Sequence, residues 1–168
     1  MAFWQKLRGD GAALPTPYGS RAIWLAWLGG AITIAVGSLL TDIFLTPLQL
    51  ASFGASCVLV FGFPELPFSQ PRNVILGHFF SSAIGLIFLT LFGPHWISLA
   101  VSLGTAIAVM MATRTVHPPA GSNPLIVFDQ YAGWSFLLYP TLLGTLIVVI
   151  VGLLYNNATR ATRYPKYW

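Results

Sequence analysis

Two stretches of the chain combine small hydroxyl-bearing residues with helix-breaking ones. The first reads Ala51-Ser52-Phe53-Gly54-Ala55-Ser56-Cys57, and the second reads Thr113-Arg114-Thr115-Val116-His117-Pro118-Pro119-Ala120-Gly121-Ser122-Asn123-Pro124. Each suits the start of a short helix, whose leading amides lack partners within the helix and carry partial positive charge. Amides around Gly54, Ala55 and Ser56, and around Gly121, Ser122 and Asn123, are therefore candidate donors to a small anion. The hydroxyls of Ser52, Ser56 and Ser122 would help replace its water. The competing interpretation, a structural kink whose Ser and Thr residues satisfy freed backbone groups, stays open. Arg72, followed by Asn73, and Arg114 either draw an anion in or anchor at the membrane interface. His117 opens Pro118-Pro119, and an imidazole with an ordinary pKa of about 6.5 can relay a proton or donate a hydrogen bond. His78 and His95 are expected to be satisfied by packing or interface contacts. The three histidines lack nearby acid or thiol partners, so neither a metal site nor a cofactor is expected. Cys57 is the only cysteine, which excludes an internal disulfide.

The elements that must position these residues follow from composition. The 168 residues are 56% hydrophobic and 7% charged, with a mean hydropathy of +0.76. A soluble domain carries about a quarter charged residues, so a soluble enzyme is excluded, as is a disordered chain. A nucleic-acid partner would need a basic patch on a polar fold, and none is available. An all-α integral membrane protein is expected, in which each span needs about 20 residues. Uncharged stretches fall at 22–41, 43–64 and 73–113, the last broken by Gly93-Pro94-His95 into 73–92 and 96–113; others follow at 118–128 and 134–155. The expected organisation is an N-terminal segment 1–21, a transmembrane domain 22–157 and a basic, aromatic tail 158–168. Pro15 and Pro17, without an apolar core around them, argue against a cleavable signal peptide.

Shifting the chain by 67 residues places Gly37 on Gly104, Gly54 on Gly121, Phe61 on Phe128 and Gly77 on Gly144. Both halves, about 22–92 and 96–155, read long helix, short broken segment, long helix. The fold expected is four full transmembrane helices plus two broken or half-spanning segments. Broken segments at matching positions of two halves point to a transporter binding site. Parallel halves with four spans compete with inverted halves with six crossings. The inverted arrangement is favoured, because it alone puts all eight Lys and Arg residues on one side, the cytoplasmic one. Both termini are then cytoplasmic, in a bacterial or cyanobacterial inner (plasma) membrane. Its weak point is 118–128, whose 11 residues reach only about 17 Å as a helix. Ser98, Ser102 and Ala106, like Ser81 and Gly85, are expected to serve close helix packing. A homo-oligomer is a further expectation for so small a bundle.

At Ser52-Phe53-Gly54-Ala55-Ser56, Gln70-Pro71-Arg72-Asn73-Val74, Gly77-His78 and Thr113 to Pro119, the chain resembles the HPP family of integral membrane proteins. The resemblance runs from about 20 to 157, with the motifs in the family's order. It implies four transmembrane helices and transport of a small inorganic anion, nitrite first, as characterised members are linked to nitrite transport. Ser122 stands where the family commonly has Ala. Its implied partners are nitrite and the lipid bilayer. Other classes weighed are a channel for a neutral solute such as urea, a structural membrane subunit, and an intramembrane serine hydrolase around Ser56. An enzyme is not expected, since Cys57 replaces the second glycine of the rhomboid-type Gly-x-Ser-Gly pattern.

Overall fold

The computed structural model describes residues 3–7 and 10–168, without the side chains of residues 5 and 6. Arg8 and the side chain of Lys6, two of the basic residues flanking the first apolar stretch, lie outside the described residues. The described residues form helices and no strands. After a helical turn at Phe3–Lys6, the long helix α1 spans Ser20–Phe44. The short α2 covers Ser52–Cys57 and runs on through a wide turn, Val58–Gly62. Helix α3 spans Pro71–Phe92 and α4 spans Trp96–Ala112. A tight 3-10 stretch, Pro118–Ser122, leads into α5, Asn123–Asp129. Irregular helical turns from Trp134 lead into α6, Leu143–Thr159.

Local chemistry sets these boundaries. Pro71 opens α3 at the position where a missing N–H costs nothing. Gly93, at φ 80°, ends it where a side chain would be strained. The His95 Nδ1 caps α4 by accepting the Ser98 N–H at 3.2 Å. Three helical stretches are long and apolar enough to cross a membrane, Ser20–Phe44, Pro71–Phe92 and Trp134–Thr159. The fourth expected full span, 96–113, is realised as the 17-residue α4. Its length of about 25 Å falls short of a hydrocarbon core of about 30 Å.

Helix association in lipid relies on close packing rather than on the exclusion of water. Helix α3 is central, packing on α4, α5 and α6, and α1 lies against α6 and the Val58–Gly62 turn. Ser98, Ser102 and Ala106 are all buried, and the Ser98 hydroxyl donates to the Phe88 carbonyl, as expected of a packing stripe. Glycines set the closest approaches. A Cβ on Gly77 would stand 3.0 Å from the Thr115 carbonyl oxygen, and one on Gly144 would strike the Leu48 carbonyl. Likewise Gly85 packs on Val127 and Gly152 on Val60. In both comparisons the glycine and its partner are displaced by the same 67 residues, in opposite directions along the chain.

Contacts also define the two ends of the bundle. At one end Arg21 donates to the Thr159 carbonyl, Arg160 to the Phe61 carbonyl, and Arg72 to the carbonyls of Thr113 and Arg114. The segment after α6 folds over this basic end. There the Tyr164 hydroxyl donates to the Ser69 carbonyl at 2.7 Å, and Lys166 pairs with Glu65 at 2.7 Å. Asp42, in the last turn of α1, and Asp129, the last residue of α5, lie at the opposite end.

Candidate functional site

Helix α3 runs 22 residues, so Ser81 and Ser82 mark its middle and the middle of the bundle's depth. His78, Ser81 and Ser82 share one face of that helix by their three- and four-residue spacing. Ser52 and Ser56, four apart, share one face of α2. The lead-in to α5 supplies His117 and the Ala120 carbonyl, and the first residue of α5 is Asn123. All these side chains are buried, and Ser56, His78, His117 and Asn123 are 0% exposed.

The geometry fixes a consistent set of donors and acceptors. His117 Nδ1 lies 2.7 Å from the Phe68 carbonyl, which only accepts, so the proton of a neutral His117 sits on Nδ1. Its Nε2 is then an acceptor and takes the Ser56 hydroxyl at 2.8 Å, closer than that hydroxyl's other acceptor, the Ser52 carbonyl at 3.2 Å. The Ser56 oxygen in turn accepts from His78 Nε2 at 3.0 Å. That leaves His78 Nδ1 as an acceptor, filled by the Asn123 amide at 3.0 Å. The second amide proton of Asn123 goes to the Ser82 hydroxyl at 2.8 Å, and its carbonyl accepts from Ser52 at 2.9 Å. Ser82 meets Thr141 at 3.0 Å, and Ser81 donates to the Ala120 carbonyl at 2.6 Å. The result is a one-way chain of neutral groups from Asn123 through His78, Ser56 and His117 to Phe68. Among the described residues, no carboxylate, Arg or Lys is bonded to either imidazole. A fully satisfied buried network of this kind rigidifies its surroundings, because each orphaned member would cost about 1–3 kcal/mol.

Of the residues expected to bind solute, the structure brings Ser52, Ser56, His117 and Asn123 into this cluster. It places Gly54 and Ala55 on the exposed face of α2, and Gly54 lines an apolar groove of about 520 Å³ against α1. Gly121 and Ser122 are half-buried, and the Ser122 hydroxyl turns back to the Pro119 carbonyl at 2.8 Å. Arg72 and Arg114 stay at the basic end, Arg72 capping the end of α4 and Arg114 exposed at φ 57°. Asn73 is there too, donating to the Val116 carbonyl and accepting from Tyr167. The expected free amides at the short helices' tips are largely taken. Phe53 N–H bonds Leu50, Gly54 N–H bonds Ala51 and Ala120 N–H bonds His117, while Pro118 and Pro119 have no N–H to give. The site is therefore built from side chains, and it is closed rather than an open chamber. A cavity of about 720 Å³ at the opposite, acidic end reaches Ala51 and Ile126, next to Ser52 and one turn from Asn123.

His78 was expected to be a packing residue and instead links the two halves. Its signal lay in the sequence: an imidazole four positions before Ser82, deep inside an uncharged run. No group of three or more His, Cys, Asp or Glu residues among the described residues could hold a metal ion.

An all-helical chain with several membrane-length apolar helices and a polar cluster at mid-depth is an integral membrane protein. Residues 15–165 match the model of the HPP transmembrane region, and the chain belongs to that family. A transmembrane protein of Dictyostelium discoideum is 36% identical over 71% of this chain and 45% of its own length. A second from the same organism is 32% identical over 99% of this chain and 57% of its own. The chain thus spans about half the length of these curated relatives. No solved structure matches it.

Proposed function

We propose that this protein carries a small inorganic anion, nitrite first, across the bilayer through the cluster of Ser52, Ser56, His78, His117 and Asn123. One observation carries the proposal: Ser56 is held between two imidazoles at mid-depth, where the two short helices from opposite halves meet. Polar and ionisable side chains inside a membrane are expensive, and they mark pathways for solutes and protons. A solute would enter from the acidic-end cavity beside Ala51 and replace the amide and hydroxyl contacts of Asn123 and Ser52. Release at the basic end requires movement around Phe68 and the segment packed over it. Rocking of two halves about a central site is the usual way such access alternates.

The paired glycine contacts support inverted repeats with six crossings. Gly77 on Thr115 is matched by Gly144 on Leu48, and Gly85 on Val127 by Gly152 on Val60. Arg72 and Arg114 sharing an end with Arg21 and Arg160 favours a cytoplasmic basic end with both flanking segments inside. The test is nitrite flux into proteoliposomes at set pH and potential. Asn123→Leu should abolish flux while the protein remains monodisperse in detergent. Undiminished flux would reject the site, and passage of urea without passage of nitrite would favour a neutral-solute channel.

A second function is favoured by the 2.8 Å contact between Ser56 and His117, the first requirement of a serine hydrolase. Against it, Ser56 is fully buried, and its oxygen already accepts from His78. Covalent labelling of Ser56 by a fluorophosphonate would establish it.

A further inference from the structure

The structure assigns a second task to the same cluster: His78, Ser56 and His117 form a proton relay that joins the solute position at mid-depth to the basic end. The inference rests on the transport proposal and adds the co-transported ion. Three features carry it. The hydrogen bonds have one consistent direction, from His78 Nε2 to Ser56 and from Ser56 to His117 Nε2. The chain spans depth, since His78 lies one turn from the middle of α3 and its partner Asn123 opens α5, while Phe68 belongs to the loop at the basic end. Among the described residues the Ser56 hydroxyl alone links the rings, whose centroids stand 5.0 Å apart with no direct nitrogen-to-nitrogen bond.

The bookkeeping closes on one proton. A proton arriving on His78 Nδ1 displaces the Asn123 amide and makes that ring an imidazolium. Its Nε2 proton passes to the Ser56 oxygen as the Ser56 hydroxyl proton passes to His117 Nε2. His117 then releases its Nδ1 proton to water at the Phe68 end. Both imidazoles finish neutral with their tautomers exchanged, and reorientation of rings and hydroxyl restores the start. A relay of this kind needs a group that both donates and accepts between two imidazoles, and the Ser56 hydroxyl holds that position at 3.0 and 2.8 Å.

The surroundings leave the pair free to act. Facing it are Ser52 and Phe53 from α2, Ser82 from α3, Asn123 from the start of α5 and Phe68 from the loop. The buried face of α4 offers Ser98, Ser102, Ala106 and Met110, none of which titrates. On the basic side, Arg72 is bonded to backbone carbonyls and Tyr164 to the Ser69 carbonyl. Cys57 faces Thr33 on α1 instead. The two imidazoles are each other's only titratable neighbours among the described residues.

The experiment measures protons moved per nitrite in proteoliposomes, from the opposing pH gradient at which net nitrite flux stops with the potential clamped at zero. The wild type should move about one proton per anion, and Ser56→Ala should lower that ratio about tenfold while Ser56→Thr retains it. A ratio unchanged in Ser56→Ala overturns the relay. If wild-type protein moves no nitrite, the transport proposal fails, and histidine nitrogen-15 spectra then decide the relay alone. The same spectra decide if Ser56→Ala abolishes flux altogether. A neutral His117 protonated on Nδ1 with a neutral His78 protonated on Nε2 supports the relay, and the opposite tautomer on either ring overturns it.

Discussion

Asn123 has more at stake than any other single side chain in the bundle. Its amide fills His78 Nδ1 and the Ser82 oxygen, and its carbonyl takes the Ser52 hydroxyl. Asn123→Ala should orphan these groups at about 1–3 kcal/mol each, lowering the melting temperature measured in detergent and abolishing flux. Ser122→Ala, one residue earlier, removes only a bond to its own turn. It should change stability by less than about 0.5 kcal/mol. The contrast explains which site residues were legible. Residue type and spacing singled out Ser52, Ser56, His117 and Asn123 because hydroxyls, amides and imidazoles are rare at such depth. They could not separate Ser56 from Ala55 or Asn123 from Ser122, because the face each residue presents depends on how a short, irregular helix is rotated. His78 reads as a packing residue in the sequence because a lone histidine in an apolar run has no local partner; its partners come from residues 22 to 45 positions away.

At the scale of elements, the alternation of long and short helices was readable from charge gaps and from Gly and Pro breaks. The lead-in to α5 was not. Amides around Gly121, Ser122 and Asn123 are the donors expected there, yet Pro118 and Pro119 have no N–H and the side chains build the site. Helix α4 is more than a turn shorter than α1 and α3 because Gly93-Pro94-His95 delays its start and the chain turns at Thr113. The close contacts made by glycines carry the prediction at this scale. Gly144→Ala would drive a methyl into the Leu48 carbonyl and the Phe53 ring, beside the short helix that holds Ser52 and Ser56. Backbone cannot yield as a flexible side chain can, so a loss of about 1–3 kcal/mol is expected by thermal unfolding. Gly104→Ala, whose Cβ would meet nothing within 4 Å, should be neutral or slightly stabilising in the same assay, since alanine favours the helix.

For the whole molecule, the closing of the basic end depends on the segment after α6, and no motif in the sequence announced that. Its role arises from long-range pairings: Tyr164 with Ser69, the Lys166 N–H with Gln70, Tyr167 with Asn73, and the Lys166 ammonium with Glu65. Together they clamp the loop carrying Phe68, whose carbonyl orients His117. The bonded Lys166 ammonium, with the Thr162 hydroxyl second, holds the Glu65 carboxyl below its usual range. A depressed carboxyl contributes stability above its unfolded value of about 4.3, and that contribution disappears as pH falls through the lowered folded value. Because the pair is exposed, it is worth under about 1 kcal/mol and weakens with salt. The segment should therefore loosen locally in acid while the helices stay folded. Pulse-labelled hydrogen exchange should show amides near Lys166 losing protection as pH drops below about 4, and losing it sooner at high salt. Glu65→Gln should give the weaker protection already at neutral pH and remove most of the acid response. An equal acid response in Glu65→Gln would mean that the hydrogen bonds of Tyr164 and Tyr167, rather than the ion pair, keep the basic end closed.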